Sequence, residues 1–151
     1  MSDDTLTAEN NRFWFYSIGH QPIDDRICGL AGDDSLNGGA GNESVYGGAG
    51  NDALDNSNEV LAPPGHDVLN GGAGQDTVFM RGDDTAIGGA GNYFIAISSS
   101  DDWGGRHLPI FGGSGDDSIS GSVGAQRIFG GDGNDTIGAG LDARMTGVTA
   151  F

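Results

Sequence analysis

Lysine is missing from this chain altogether: its 151 residues carry six basic side chains, all arginine, against 22 acidic ones, for a formal net charge of −16. Without lysine there is no P-loop phosphate site and no Schiff-base chemistry. A chain this acidic also has no electrostatic route to nucleic acid or to anionic lipid. Cysteine occurs once, at Cys28, which excludes an internal disulfide and the zinc sites built on several cysteines. Apolar residues make up only 36% of the chain, too few large side chains for a core of ordinary thickness. No apolar run approaches the ~18 residues a membrane span requires. The polar, acidic stretch Met1–Asn11 has neither the basic nor the apolar region of a secretory signal peptide.

What the chain has in excess is glycine, 30 residues, far above the ordinary ~7%, and the glycines are periodic. Segments align as Gly29–Asn37 (GLAGDDSLN), Gly38–Tyr46 (GGAGNESVY), Gly47–Asp55 (GGAGNDALD), Gly71–Phe79 (GGAGQDTVF), Gly88–Ala96 (GGAGNYFIA), Gly112–Ser120 (GGSGDDSIS), Gly121–Phe129 (GSVGAQRIF) and Gly130–Gly138 (GGDGNDTIG). The shared unit is G-G-x-G-x-D-x-U-x, with U a large aliphatic. On this motif the sequence resembles the RTX (repeats-in-toxin, hemolysin-type) calcium-binding nonapeptide family. The resemblance covers roughly residues 29–138, with two longer interruptions. It implies an all-β fold, a right-handed parallel β-roll, with several Ca²⁺ ions as cofactor.

The unit has a physical reading of its own. Glycines at positions 1, 2 and 4 permit φ > 0 and close backbone approach, which a tight turn needs. Such a turn aims carbonyl oxygens inward, and the aspartate at position 6 adds a hard anionic oxygen; this is the donor set calcium prefers. Position 8 is Leu36, Val45, Leu54, Leu69, Val78, Ile95, Ile110, Ile119, Ile128 or Ile137. One inward aliphatic between two outward neighbours makes a three-residue strand. Turn, strand, turn, strand then closes a coil in 18 residues, and the chain has room for five or six coils.

Spacing separates the two edges of that roll. The clean turns start at 29, 47, 71, 88, 112 and 130, at intervals of 18, 24, 17, 24 and 18 residues. If the coils alternate sides, every clean turn except Gly38–Glu43 falls on one edge, and every insertion or degenerate turn on the other. On the regular edge position 6 reads Asp34, Asp52, Asp76, Tyr93, Asp117 and Asp135. The resemblance implies ions between adjacent coils, each using two successive carboxylates and carbonyls of both turns. The metal-site candidates are therefore these five aspartates with Gly29, Ala31, Asp33, Gly47, Ala49, Asn51, Gly71, Ala73, Gln75, Gly112, Ser114, Asp116, Gly130, Asp132 and Asn134. Complete pairs are Asp34/Asp52, Asp52/Asp76 and Asp117/Asp135, and Tyr93 should leave its flanking sites weak or empty. On the divergent edge Glu43, Asp67 and Asp84 are weaker candidates.

Each half-coil buries one aliphatic against the cost of ordering nine residues, and its aligned aspartates repel one another. A metal-free chain is therefore expected to be largely disordered, with calcium supplying the missing free energy. Residues 1–28 do not repeat; Phe13, Trp14, Phe15 and Tyr16 are expected to cap the first coil or to dock on a partner, while 139–151 would cap the other end of the 29–138 roll. Secreted relatives carry an uncleaved C-terminal signal for type I export, and Val148–Phe151 is compatible with one. His20, His66 and His107 lack second ligands at metal spacing, and the acidic pairs read as turns or calcium ligands rather than catalytic carboxylates.

The expected function is thus non-enzymatic: an extracellular calcium-binding scaffold in a matrix, surface layer or virion, by self-assembly or docking on a larger assembly. Two alternatives stand beside it. One is a module that binds carbohydrate or protein through divergent-edge loops, with Trp103 and Arg106 as contacts. The other is an accessory module of a secreted enzyme.

Overall fold

Each nonapeptide of the repeat folds as one bend followed by one short strand, and successive strands fall alternately into two parallel sheets. The computed structural model describes residues 5–7, 12–14, 24–39, 41–57, 65–81, 84–97, 108–122, 126–138 and 144–146. Its strands are β1 (Thr5–Thr7), β2 (Arg12–Trp14), β3 (Arg26–Ala31), β4 (Ser35–Asn37), β5 (Ser44–Ala49), β6 (Ala53–Asp55), β7 (Val68–Ala73), β8 (Thr77–Met80), β9 (Thr85–Ala90), β10 (Phe94–Ile97), β11 (Leu108–Ser114), β12 (Ser118–Ser120), β13 (Gln126–Asp132), β14 (Thr136–Gly138) and β15 (Arg144–Thr146). Odd strands make one sheet and even strands the other, each in chain order. This is a parallel β-roll, as the repeat predicts. Strands β3 to β14 supply six coils, and β1, β2 and β15 extend the sheets beyond the repeat at both ends.

Register confirms the inward role of position 8. Leu36, Leu54, Val78, Ile95, Ile119 and Ile137 stack in line through the even sheet. Ile27, Val45, Leu69, Ala86, Ile110 and Ile128 stack through the odd one. All are buried except Ile137, which is half-buried and packs against the rest. Ile27 and Ala86 complete the odd ladder outside the aligned nonapeptides, and Met80 and Ile97 are also buried. The odd strands are longer than the expected three residues because the first residues of the following turn continue the pairing, as in Leu30↔Gly48 and Ala31↔Ala49.

Outward positions carry aromatic rungs. Phe79 and Phe94 meet edge to face at 6.3 Å on the even sheet; Phe111 and Phe129 stack at 5.0 Å on the odd one.

The second glycine of each turn is required by its dihedral. Gly48, Gly72, Gly89, Gly113 and Gly131 have φ between 106° and 127°, and Leu30, at the same place in the first turn, is held at φ 76°. That conformation costs an L-residue ~1–2 kcal/mol, and the Leu30 side chain is 49% exposed, so it recovers little by burial. Leu30→Gly is expected to stabilise the calcium-loaded protein by about 1 kcal/mol, read as a higher midpoint in thermal unfolding. A lower midpoint would mean the leucine makes contacts worth more than its strain.

Candidate metal-binding edges

All six clean turns lie on one edge, between an odd strand and the next even strand, and their position-6 residues form an inner row. Asp34, Asp52, Asp76 and Asp117 are buried, at 1–3% exposure, and Asp135 is half-buried. The row is tied coil to coil by backbone donors. The N–H of Asp34 donates to Asp52 Oδ1 (2.9 Å), that of Asp52 to Asp76 Oδ1 (2.8 Å), and that of Asp117 to Asp135 Oδ1 (3.1 Å). One oxygen of each carboxylate is thereby fixed. The other, Oδ2 of Asp52, Asp76, Asp117 and Asp135, is buried without a hydrogen-bond partner.

Those second oxygens converge on the glycines at position 1. A Cβ on Gly29 would lie 2.5 Å from Asp34 Oδ2 and 2.5 Å from the Gly47 carbonyl oxygen of the next coil. Gly47 is flanked in the same way by Asp52 Oδ2 and the Gly71 carbonyl, and Gly112 by Asp117 Oδ2 and the Gly130 carbonyl. Any side chain at position 1 would fill these oxygen-lined spaces. They coincide with the pairs Asp34/Asp52, Asp52/Asp76 and Asp117/Asp135. Among the described residues no three acidic, histidine or cysteine side chains converge, so a cation on this edge would be held by paired carboxylates and by carbonyls. That set of hard oxygens suits Ca²⁺.

The electrostatics show what the row lacks without a cation. Burial, reinforced by the charges of Asp76, Asp34 and Asp33, pushes Asp52 up to about 6 against the hydrogen bond from Asp34 N–H. Burial likewise raises Asp76 and Asp117 above the usual carboxylate range. Buried carboxylates that resist ionisation, each with one oxygen unpartnered, are costly at neutral pH unless a positive charge joins them.

Other residues of the candidate set take different places. The side chains at position 5 are exposed and form an outer ladder: Asp33 Oδ1 accepts from Asn51 N–H (2.7 Å), Asn51 Oδ1 from Gln75 N–H (2.9 Å), and Asp116 Oδ1 from Asn134 N–H (2.8 Å). At position 3 the carbonyls of Ala49, Ala73, Ser114 and Asp132 accept glycine N–H groups from the preceding coil, so these residues serve the turn-to-turn ladder through their backbone.

The divergent edge has a comparable ladder, finished differently. Glu43 N–H donates to Asp67 Oδ1 (2.6 Å) and Asp67 N–H to Asp84 Oδ1 (3.1 Å). Here the second oxygens have donors from the protein: Asn56 Nδ2 donates to Asp67 Oδ2, and Arg81 N–H to Asp84 Oδ2 (3.2 Å). Burial first, then the charge of Asp67, pushes Asp84 up to about 8. Asn56 is 1% exposed and was not foreseen, since it opens an insertion with no motif. The aromatic and loop contacts expected at Phe15, Tyr16, Trp103 and Arg106 lie outside the described residues, as do the side chains of Phe13 and Trp14.

No helix among the described residues is long and apolar enough to cross a membrane. No curated protein and no solved structure matches the chain. The profile of the RTX calcium-binding nonapeptide repeat matches in four copies, over residues 23–54, 64–79, 80–95 and 110–143. With most of its length in those copies, a parallel roll beneath them and buried carboxylates facing carbonyl oxygens along one edge, the chain belongs to the RTX calcium-binding nonapeptide repeat family and is a calcium-binding β-roll module.

Proposed function

We propose that calcium fills three intervals of the regular edge, Asp34/Asp52, Asp52/Asp76 and Asp117/Asp135, and that the filled roll is a non-enzymatic scaffold working outside the cytoplasm. The observation that carries this is the row of buried Oδ2 atoms without partners, at Asp52, Asp117 and Asp135. Of these, Asp52 and Asp117 each face a carbonyl oxygen of the next coil across a glycine. When bound, a calcium ion supplies two positive charges and accepts six to eight oxygens at flexible geometry. The chain's own part is to hold one carboxylate oxygen by a backbone N–H and leave the other for the ion. Sites of this open kind in extracellular modules bind at ~10⁻⁴–10⁻³ M, which ties folding to a compartment where calcium is abundant.

The role that follows is mechanical. Two parallel sheets with outward aromatic rungs and acidic edges make a stiff spacer, suited to a matrix, a surface layer or the decoration of a virion. Isothermal titration with native mass spectrometry tests the sites. Single Asp52→Asn, Asp117→Asn and Asp135→Asn variants are each expected to bind fewer ions than the parent, and Asp33→Asn, on the exposed outer ladder, the same number. Equal loss from Asp33→Asn would place the ions elsewhere.

A further inference from the structure

Tyr93 stands where the repeat requires its aspartate, and its side chain is among the largest buried ones, at 2% exposure. The ring turns back into the interval between its own bend and the one before. A Cβ on Gly71 would lie 2.5 Å from Asp76 Oδ2 and 2.6 Å from Tyr93 Cε1. At Gly29 and Gly47 that second neighbour is a carbonyl oxygen instead. The Tyr93 hydroxyl donates to the Gly72 carbonyl of the preceding coil at 2.6 Å. Its N–H still donates to Asp117 Oδ1 at 2.9 Å, so the backbone ladder runs on and only the space between carboxylates has changed hands.

The geometry points to Tyr93 as a metal-free tie whose phenol fills one interval of the edge and divides the calcium row into two groups that load independently. One group is the double interval of Asp34, Asp52 and Asp76; the other is the single interval of Asp117 and Asp135. This rests on the reading that calcium fills the regular edge. In an unbroken row each inner carboxylate serves two ions, so filling one interval orders and discharges the next, which is a coupling free energy between sites. The phenol lies against the Asp76 carboxylate, but it is neutral, is held by a hydrogen bond to Gly72 and has no charge to gain or lose as its neighbours fill. Coupling stops there, and the two coils stay joined when calcium is withdrawn.

The test counts ions by native mass spectrometry and follows their uptake by calorimetry in the full chain. Tyr93→Asp supplies a carboxylate to both flanking intervals and is expected to bind two more ions than the parent; Tyr93→Phe, which keeps the ring, is expected to bind the same number. Asp117→Asn is expected to abolish its own interval and leave the half-saturation of the remaining ions within about twofold of the parent. Unchanged stoichiometry in a folded Tyr93→Asp protein overturns the proposal, and so does a shift of the remaining ions by more than about fivefold in Asp117→Asn. If Tyr93→Asp does not fold in saturating calcium, the Asp117→Asn result decides alone. A parent chain that takes up no calcium would instead overturn the reading of the edge itself.

Discussion

Chelating calcium is expected to abolish most of the β-sheet signal in circular dichroism at neutral pH, and restoring millimolar calcium to bring it back. The reason lies in how little else holds the coils. The core is one ladder in each sheet, Leu36 to Ile137 and Ile27 to Ile128, with only Met80, Tyr93 and Ile97 added among the described residues, and each rung must fix a half-coil of at least eight residues. Against that stand buried carboxylates at Asp52, Asp76 and Asp117 whose second oxygens have no donor. Removing the cation leaves like charges stacked coil over coil in a poorly hydrated row. The radius of gyration should then grow toward the ~40 Å of an unfolded chain of this length, measurable by small-angle scattering. Magnesium should not substitute, because it demands a tight octahedron and gives up its waters reluctantly. A chelated sample that keeps its sheet signal and its size would show that the ladder suffices, and the calcium-dependent scaffold would fail with it.

The roll was legible in the sequence because each nonapeptide performs the same task at fixed spacing. The aliphatics from Leu36 to Ile128 could be placed inward before any coordinate, and the turns at 29, 47, 71, 88, 112 and 130 could be assigned to one edge by counting. Where the motif decays, the same arithmetic is blind. Ile27 stacks on Val45 although it precedes the first aligned nonapeptide at Gly29, because a strand needs only an inward apolar residue and a neighbour to pair with. Ala86 fills its rung with a methyl group, too small to stand out as a position-8 residue. The divergent edge hides more. Asn56 reaches Asp67 across eleven residues of chain, a contact set by how an insertion folds back rather than by period. Tyr93 lies between these cases. Its place in the row marked an interruption, but only the structure shows the ring turned into the interval and the hydroxyl on Gly72.

Asp52 offers the sharpest separation between what the cation does and what the carboxylate costs. It is the one aspartate shared by two complete intervals, accepting from Asp34 N–H through Oδ1 while Oδ2 faces the Gly71 carbonyl. Its folded pKa of about 6 against an ordinary 3.8 fixes the sign of the pH response. The folded state holds its proton more tightly than the unfolded one, so the metal-free fold is favoured below about 4 and loses stability as pH rises through about 6. Acidifying the chelated chain should therefore recover part of its sheet signal. Calcium competes with that proton, so in its presence the half-saturating concentration should fall as pH rises over the same window. Asp52→Asn imitates the protonated side chain at every pH. In chelator it should raise the sheet signal at pH 7 above the parent's, while in calcium it should raise the half-saturating concentration by about tenfold, or ~1.4 kcal/mol. Asp135→Asn, which touches a single interval, should shift it less. Opposite signs in the two conditions require that the buried charge be harmful to the bare fold and useful only as a ligand; a variant that weakens both alike would make Asp52 a packing residue.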